Sequence, residues 1–150
     1  MGLFSFLNKR SKQMTDDFFG LITFRPYKKL DVDYFVGEVY FKPLDRNVDF
    51  FIYAEHTGPT QVQKDFYENI ENNYSRLVSQ AIPLLQKALK LIDEIKDFNK
   101  QFTLVCITIP IINDSSPEWK LEFSTIHDEN NYYTVGFIGD NAIGITKSDK

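Results

Sequence analysis

Cysteine is nearly missing from this chain. Cys106 is the single one in 150 residues, which excludes an internal disulfide and any zinc module built on paired thiolates. Histidine is scarce too, at two residues, so little imidazole is on hand for metal ligation or proton transfer. No apolar run approaches the roughly 18 residues needed to span a bilayer. Phosphate-cradling glycine loops, dinucleotide fingerprints, nucleophile elbows and zincin helices do not occur. Basic residues are not in excess: 17 Lys and Arg stand against 21 Asp and Glu, a net charge of −4. A nucleic-acid partner is therefore not expected. Neither a cofactor nor a metal is expected, and integral membrane association is not.

What is present is ordinary globular material with a surplus of rings. The chain is 43% hydrophobic and 25% charged, with 14 Phe and 8 Tyr. One domain of this length buries enough surface for a core without staples. Charge is uneven along it. Residues 1–15 hold Lys9, Arg10 and Lys12 and no acid, so a basic tail precedes an acidic body, 16–150, read as a single domain. In that tail the apolar residues Leu3, Phe4, Phe6 and Leu7 come before the charges, the reverse of a secretory signal. Gly2 lacks the Ser or Thr at position 6 that a myristoylation motif carries. With no export or anchoring signal, a cytoplasmic location is expected, and the lone cysteine agrees with a reducing compartment.

Hydrophobic period divides the body into three parts. Phe18–Phe24, Phe35–Phe41 and Val48–Ala54 alternate or carry β-branched and aromatic residues, as strands do. Gly58-Pro59-Thr60 then breaks the pattern, and Thr60 with Gln63 fits a capping box. Apolar residues recur at helical spacing from Val62 to Ile95, with Pro83 inside the run. Two helices or one kinked helix over about 60–97 follow from this. The chain returns to strands at Phe102–Ile109, apolar on both faces and so central, and at Glu118–Thr125. Tyr132–Ile138 and Ala142–Ile145 flank Gly139-Asp140-Asn141, a tight hairpin. The order βββ-αα-ββββ predicts an α+β domain: an antiparallel sheet of six or seven strands with the Pro83-interrupted helical segment on one face.

Chemistry-bearing clusters are few. His127-Asp128-Glu129 has the ingredients of a base or metal site, yet it lies in a polar run, His127 to Asn131, that reads as a turn between strands. His56 sits between a strand and the helix start, where active sites do occur, without basic or glycine-rich company. Cys106, inside Leu104-Val105-Cys106-Ile107, reads as a small core hydrophobe rather than a nucleophile. Catalysis through His56 or His127 is therefore the alternative, not the leading reading. Paired rings at Phe18-Phe19, Phe50-Phe51 and Tyr132-Tyr133 put one ring on each face of a strand. One face fills the core; the other suits a protein interface, where Tyr, Trp and Phe are enriched. Acids cluster from Asn113 to Glu129, with Asp114, Glu118, Glu122, Asp128 and Glu129 against Lys120 alone. If the two flanking loops share one end of the sheet, they form an acidic rim for a basic protein. The residues expected to contact it are Asp114, Glu118, Asp128 and Glu129, with Trp119, Tyr132 and Tyr133 as anchors. A homo-oligomer packing its strand faces together is a further alternative.

The layout resembles small uncharacterised bacterial α+β domains, among them immunity proteins of polymorphic-toxin and contact-dependent inhibition systems. Phe19-Gly20-Leu21-Ile22, Phe35-Val36-Gly37-Glu38-Val39, the Gly58-Pro59-Thr60 helix entry and the strands from Trp119 to Phe137 carry the resemblance. It implies a cytoplasmic, non-catalytic protein that neutralises a cognate toxin domain by binding it; the acid cluster suits a basic one. It assigns no functional residue.

Overall fold

Thr60 starts the principal helix in the manner its sequence predicts. Its Oγ1 accepts from the Gln63 backbone N–H at 3.3 Å, and the Gln63 side chain accepts from the Thr60 N–H at 3.0 Å. The computed structural model of the chain describes residues 12–27, 32–113 and 116–150. The helix, α1, runs Gln61–Ala88 without a break at Pro83. Pro83 is exposed, so the hydrogen bond it cannot make is lost on the solvent side, where water can serve the freed carbonyl. The helix ends nine residues before the expected limit. The Leu91 N–H bonds the Gln86 carbonyl and the Lys90 N–H bonds the Lys87 carbonyl, while Lys90 takes a left-handed φ of 54°. These two bonds form a Schellman cap, which outweighs the apolar spacing that continues to Ile95.

Among the described residues, eight strands form one sheet in sequence order. They are β1 Lys12–Asp16, β2 Gly20–Tyr27, β3 Val32–Phe41, β4 Arg46–Tyr53, β5 Phe102–Ile109, β6 Glu118–Thr125, β7 Asp128–Ile138 and β8 Asn141–Asp149. A one-turn helix, α2, spans Phe98–Gln101 just before β5. The fold is α+β, with two corrections to its expected sheet. There are eight strands rather than six or seven, four on each side of the helix. The extra one, β1, takes in Lys12 to Thr15, which the sequence reading left in the tail; its polar residues lack a strand's usual apolar alternation. And β4 pairs with β5 in parallel, because the helix carries the chain back to the end where β4 began; every other pair is antiparallel. Residues 1–11 of the expected tail lie outside the described residues.

One face of the sheet is covered by α1, which buries Gln63, Tyr67, Ile70, Tyr74, Leu77, Ala81 and Leu85, a stripe with steps of three and four. From the sheet come Phe35, Phe41, Phe50, Ile52, Leu104, Ile107, Leu121, Phe123, Val135 and Phe137. Polar ties fix the helix at both sheet edges. Lys64 pairs with Asp16 and Asp17 beside β1, while Arg76 pairs with Asp140 and Gln80 accepts from the Ala142 N–H beside β8. In the middle, the buried Gln63 donates to the Tyr53 and Pro110 carbonyls at 2.7 and 2.8 Å, bridging the ends of the two parallel strands. The Gly139–Asp140 turn between β7 and β8 is the hairpin that the sequence indicates, with Gly139 at φ 56°.

Candidate protein-binding face

Strand register decides which residues share the face away from the helix. Opposite pairs on it are Tyr34 and Tyr53, Val36 and Phe51, and Glu38 and Asp49. Asp49 then stands opposite Cys106 and Phe51 opposite Thr108; Cys106 stands opposite Glu122 and Thr108 opposite Lys120. Two rows result. One runs Glu38, Asp49, Cys106, Glu122 across four strands. The next runs Val36, Phe51, Thr108, Lys120. Beyond them, Tyr34 and Phe51 stack with centroids 4.2 Å apart at 16°, and Tyr53 meets Phe51 edge-on at 5.0 Å.

The carboxylates of Glu38, Asp49 and Glu122 form no ion pair among the described residues. Glu122 accepts one hydrogen bond, from Thr134. Like charges directly across an antiparallel pair destabilise a sheet, so the Glu38–Asp49 opposition is a cost carried by the fold. Lys120, in the next row, and Arg25, opposite Tyr34 two rows away, are cations of the same face. Cys106 is half-buried on this face, not a core residue as its strand suggested, because a register shift between Leu104 and Cys106 turns it outward. Burial, with Glu122 and Asp49 nearby, pushes its thiol up to about 12, so it stays protonated and unreactive.

The expected binding residues do not converge. Glu118 begins β6 opposite Ile138, whereas Asp128 begins β7 opposite Thr125 at the far end of β6, about 23 Å away at strand rise. Glu118 and the Asp128–Glu129 pair therefore cannot form a single rim; Asp114 lies outside the described residues. Only Ile126 and His127 form the turn, and Asp128 to Asn131 belong to β7. Trp119 is buried, stacked on Phe137 at 4.6 Å, with its indole N–H donated to the Gly139 carbonyl. Tyr133 is buried and donates its hydroxyl to Asp128 at 2.6 Å. Neither ring is offered to a partner. Asp128 also accepts from Asn131, and its carboxyl is held below the usual range, first by the Tyr133 hydrogen bond. The burial of Tyr133 and that same bond raise the phenol to about 12. Glu118 and Glu129 are exposed. Tyr132 lies half-buried on the open face, with the Lys150 ammonium 5.3 Å from its ring centre.

The two histidines lie at opposite ends of the sheet. His56 follows β4 and is exposed, without a hydrogen bond among the described residues. His127 follows β6, and its Nε2 meets Gln101 Oε1 at 2.7 Å. No group of three or more His, Cys, Asp or Glu among the described residues is placed to hold a metal ion. A cleft of about 780 Å³ between α1 and the β7–β8 turn has Arg76 already neutralised by Asp140. No helix among the described residues is long and apolar enough to cross a membrane.

The sequence reading missed Glu38, Asp49, Tyr34, Phe51 and Tyr53 as a group. One signal existed, the Phe50-Phe51 pair: Phe50 is buried and Phe51 faces out. The carboxylate row needed the register. No protein-family model, no curated protein and no solved structure matches this chain.

Proposed function

We propose that this chain is a non-catalytic protein-binding domain that presents the helix-free face of its sheet to a partner. The observation that carries this is the row of unpaired carboxylates beside the stacked Tyr34 and Phe51. Opposed acids cost stability, and rings at a water-facing surface suit the centre of an interface. In its specific form, the binding neutralises a cognate toxin domain as an immunity protein does; the acidic face fits a basic target. Self-association through the same face is disfavoured, since two acidic rows would meet. Catalysis would need one histidine to act without the other and without a carboxylate partner.

Carboxyl footprinting tests the reading. The tagged full chain is used to recover a partner from the cells that express it, and the purified complex is labelled with a carbodiimide. A stoichiometric partner that shields Glu38, Asp49 and Glu122 supports the proposal. Shielding confined to Glu129 and Asp128, or the lack of any stoichiometric partner, overturns it.

A further inference from the structure

The chemistry of the open face narrows what its partner presents. This step rests on the binding role just proposed. Glu38 and Asp49 face each other on neighbouring strands, so their Cβ atoms are about 5 Å apart and both carboxylates project from the same face. Phe51 is two residues from Asp49 on the same face of β4, about 7 Å along the strand. Its ring is stacked against Tyr34 and thereby held in place. A planar cation bound at the acid pair thus has a fixed aromatic surface within reach. Glu122 extends the acids two strands further, past the neutral Cys106. Arg25, Lys120 and Lys150, the last over Tyr132, share the face, and none forms an ion pair with the row among the described residues.

We propose that the strip made by Glu38, Asp49, Phe51 and Glu122 docks an arginine-bearing segment of the partner. Guanidinium fits both features: it forks onto carboxylates, and it stacks on aromatic faces. Ammonium satisfies the acids alone and is more strongly hydrated. A metal ion does not fit, because the acids are spread along the row and no metal-holding group exists among the described residues. A second copy of the chain brings acids against acids. The segment runs across the strands, since the acids follow one another from β3 to β6 rather than along a single strand.

Titration with short acetylated arginine–glycine peptides tests this, with lysine–glycine peptides of equal charge for comparison, on the full chain at low salt. Amide shifts or calorimetry give the affinity. Arginine is expected to bind several-fold more tightly than lysine. Glu38→Gln with Asp49→Asn should weaken arginine binding about tenfold. Phe51→Leu should bring the two peptides to the same affinity while leaving the charge intact. Glu94→Gln with Asp93→Asn, which removes two exposed acids elsewhere, should change binding by less than about twofold. Melting curves on each variant establish that it is folded. Equal affinity for arginine and lysine in the unmodified chain overturns the guanidinium assignment. Indifference to the Glu38 and Asp49 changes, or absence of peptide binding, overturns the strip. In either case a footprint over the same face by the natural partner leaves the binding role standing. A peptide that binds the strip while no natural partner covers it sinks the role and not the strip.

Discussion

Gly37 lies so close to Phe50 that an added Cβ would come within 2.8 Å of the Phe50 Cζ and 3.1 Å of the Leu21 carbonyl. Phe50 is buried and cannot swing away without disturbing its neighbours. Gly37→Ala should therefore destabilise the fold by about 1–3 kcal/mol, lowering the thermal midpoint by several degrees in circular dichroism. Adding Phe50→Leu should recover part of the loss, since the two sites share one contact. Gln63 is fixed more strictly. It is 1% exposed, and its amide nitrogen serves two carbonyls, Tyr53 and Pro110. Gln63→Glu would aim a carboxylate at both. A loss of about 3 kcal/mol or more at neutral pH is expected. At acid pH the loss shrinks, because a protonated carboxyl regains one donor. Denaturant midpoints at two pH values measure this. The capping role of Gln63 was legible from Thr60 and their spacing. Its bridge between β4 and β5 was not, because nothing local says which carbonyls end beside the helix.

Helix α1 and the β6 strand were legible for a plain reason: both carry strong periodicity, and the helix has a complete N-terminal cap. The helix C-terminus was not. Leu89, Ile92 and Ile95 continue the apolar spacing, and no glycine marks the stop. Lys90 takes the left-handed position a glycine usually fills. Its side chain is exposed, so Lys90→Gly should relieve backbone strain at no cost in packing. A gain of about 0.5–1 kcal/mol is expected as a higher urea midpoint with unchanged slope. Strand β1 was illegible because Lys12 to Asp16 is polar; it pairs through backbone along β2 and is secured at its end by Asp16. The Asp16 carboxylate accepts from the Phe18 and Phe19 N–H groups and pairs with Lys64. Phe18 and Phe19, read as opposite faces of a strand, instead occupy that turn and both pack on Tyr67.

Across the whole molecule, acids do two opposite things: some are held by partners in the fold, and others oppose each other. Asp128 has its carboxyl lowered from the usual 3.8 by partners present only in the fold. A depressed acid contributes stability above its unfolded value and loses it as pH falls through the folded one. The thermal midpoint should thus drop below about pH 4, and Asp128→Asn should flatten that drop while lowering the midpoint at neutral pH. Glu38 and Asp49 cost stability instead, as like charges directly opposite on β3 and β4. Which acids belonged to which set could not be read from sequence: Glu38 and Asp49 are eleven positions apart, and only the β3–β4 register brings them opposite. Replacing both with Gln and Asn should raise stability by about 0.2–1 kcal/mol, the gain being largest at low salt, where repulsion is least screened. The same double variant is the one expected to lose arginine-peptide affinity. A fold that becomes more stable as its open face binds less well would place the carboxylate row on the functional side of a stability trade-off. A double variant that melts lower than the unmodified chain at low salt would mean that Glu38 and Asp49 support the sheet, and their opposition would no longer argue for a partner.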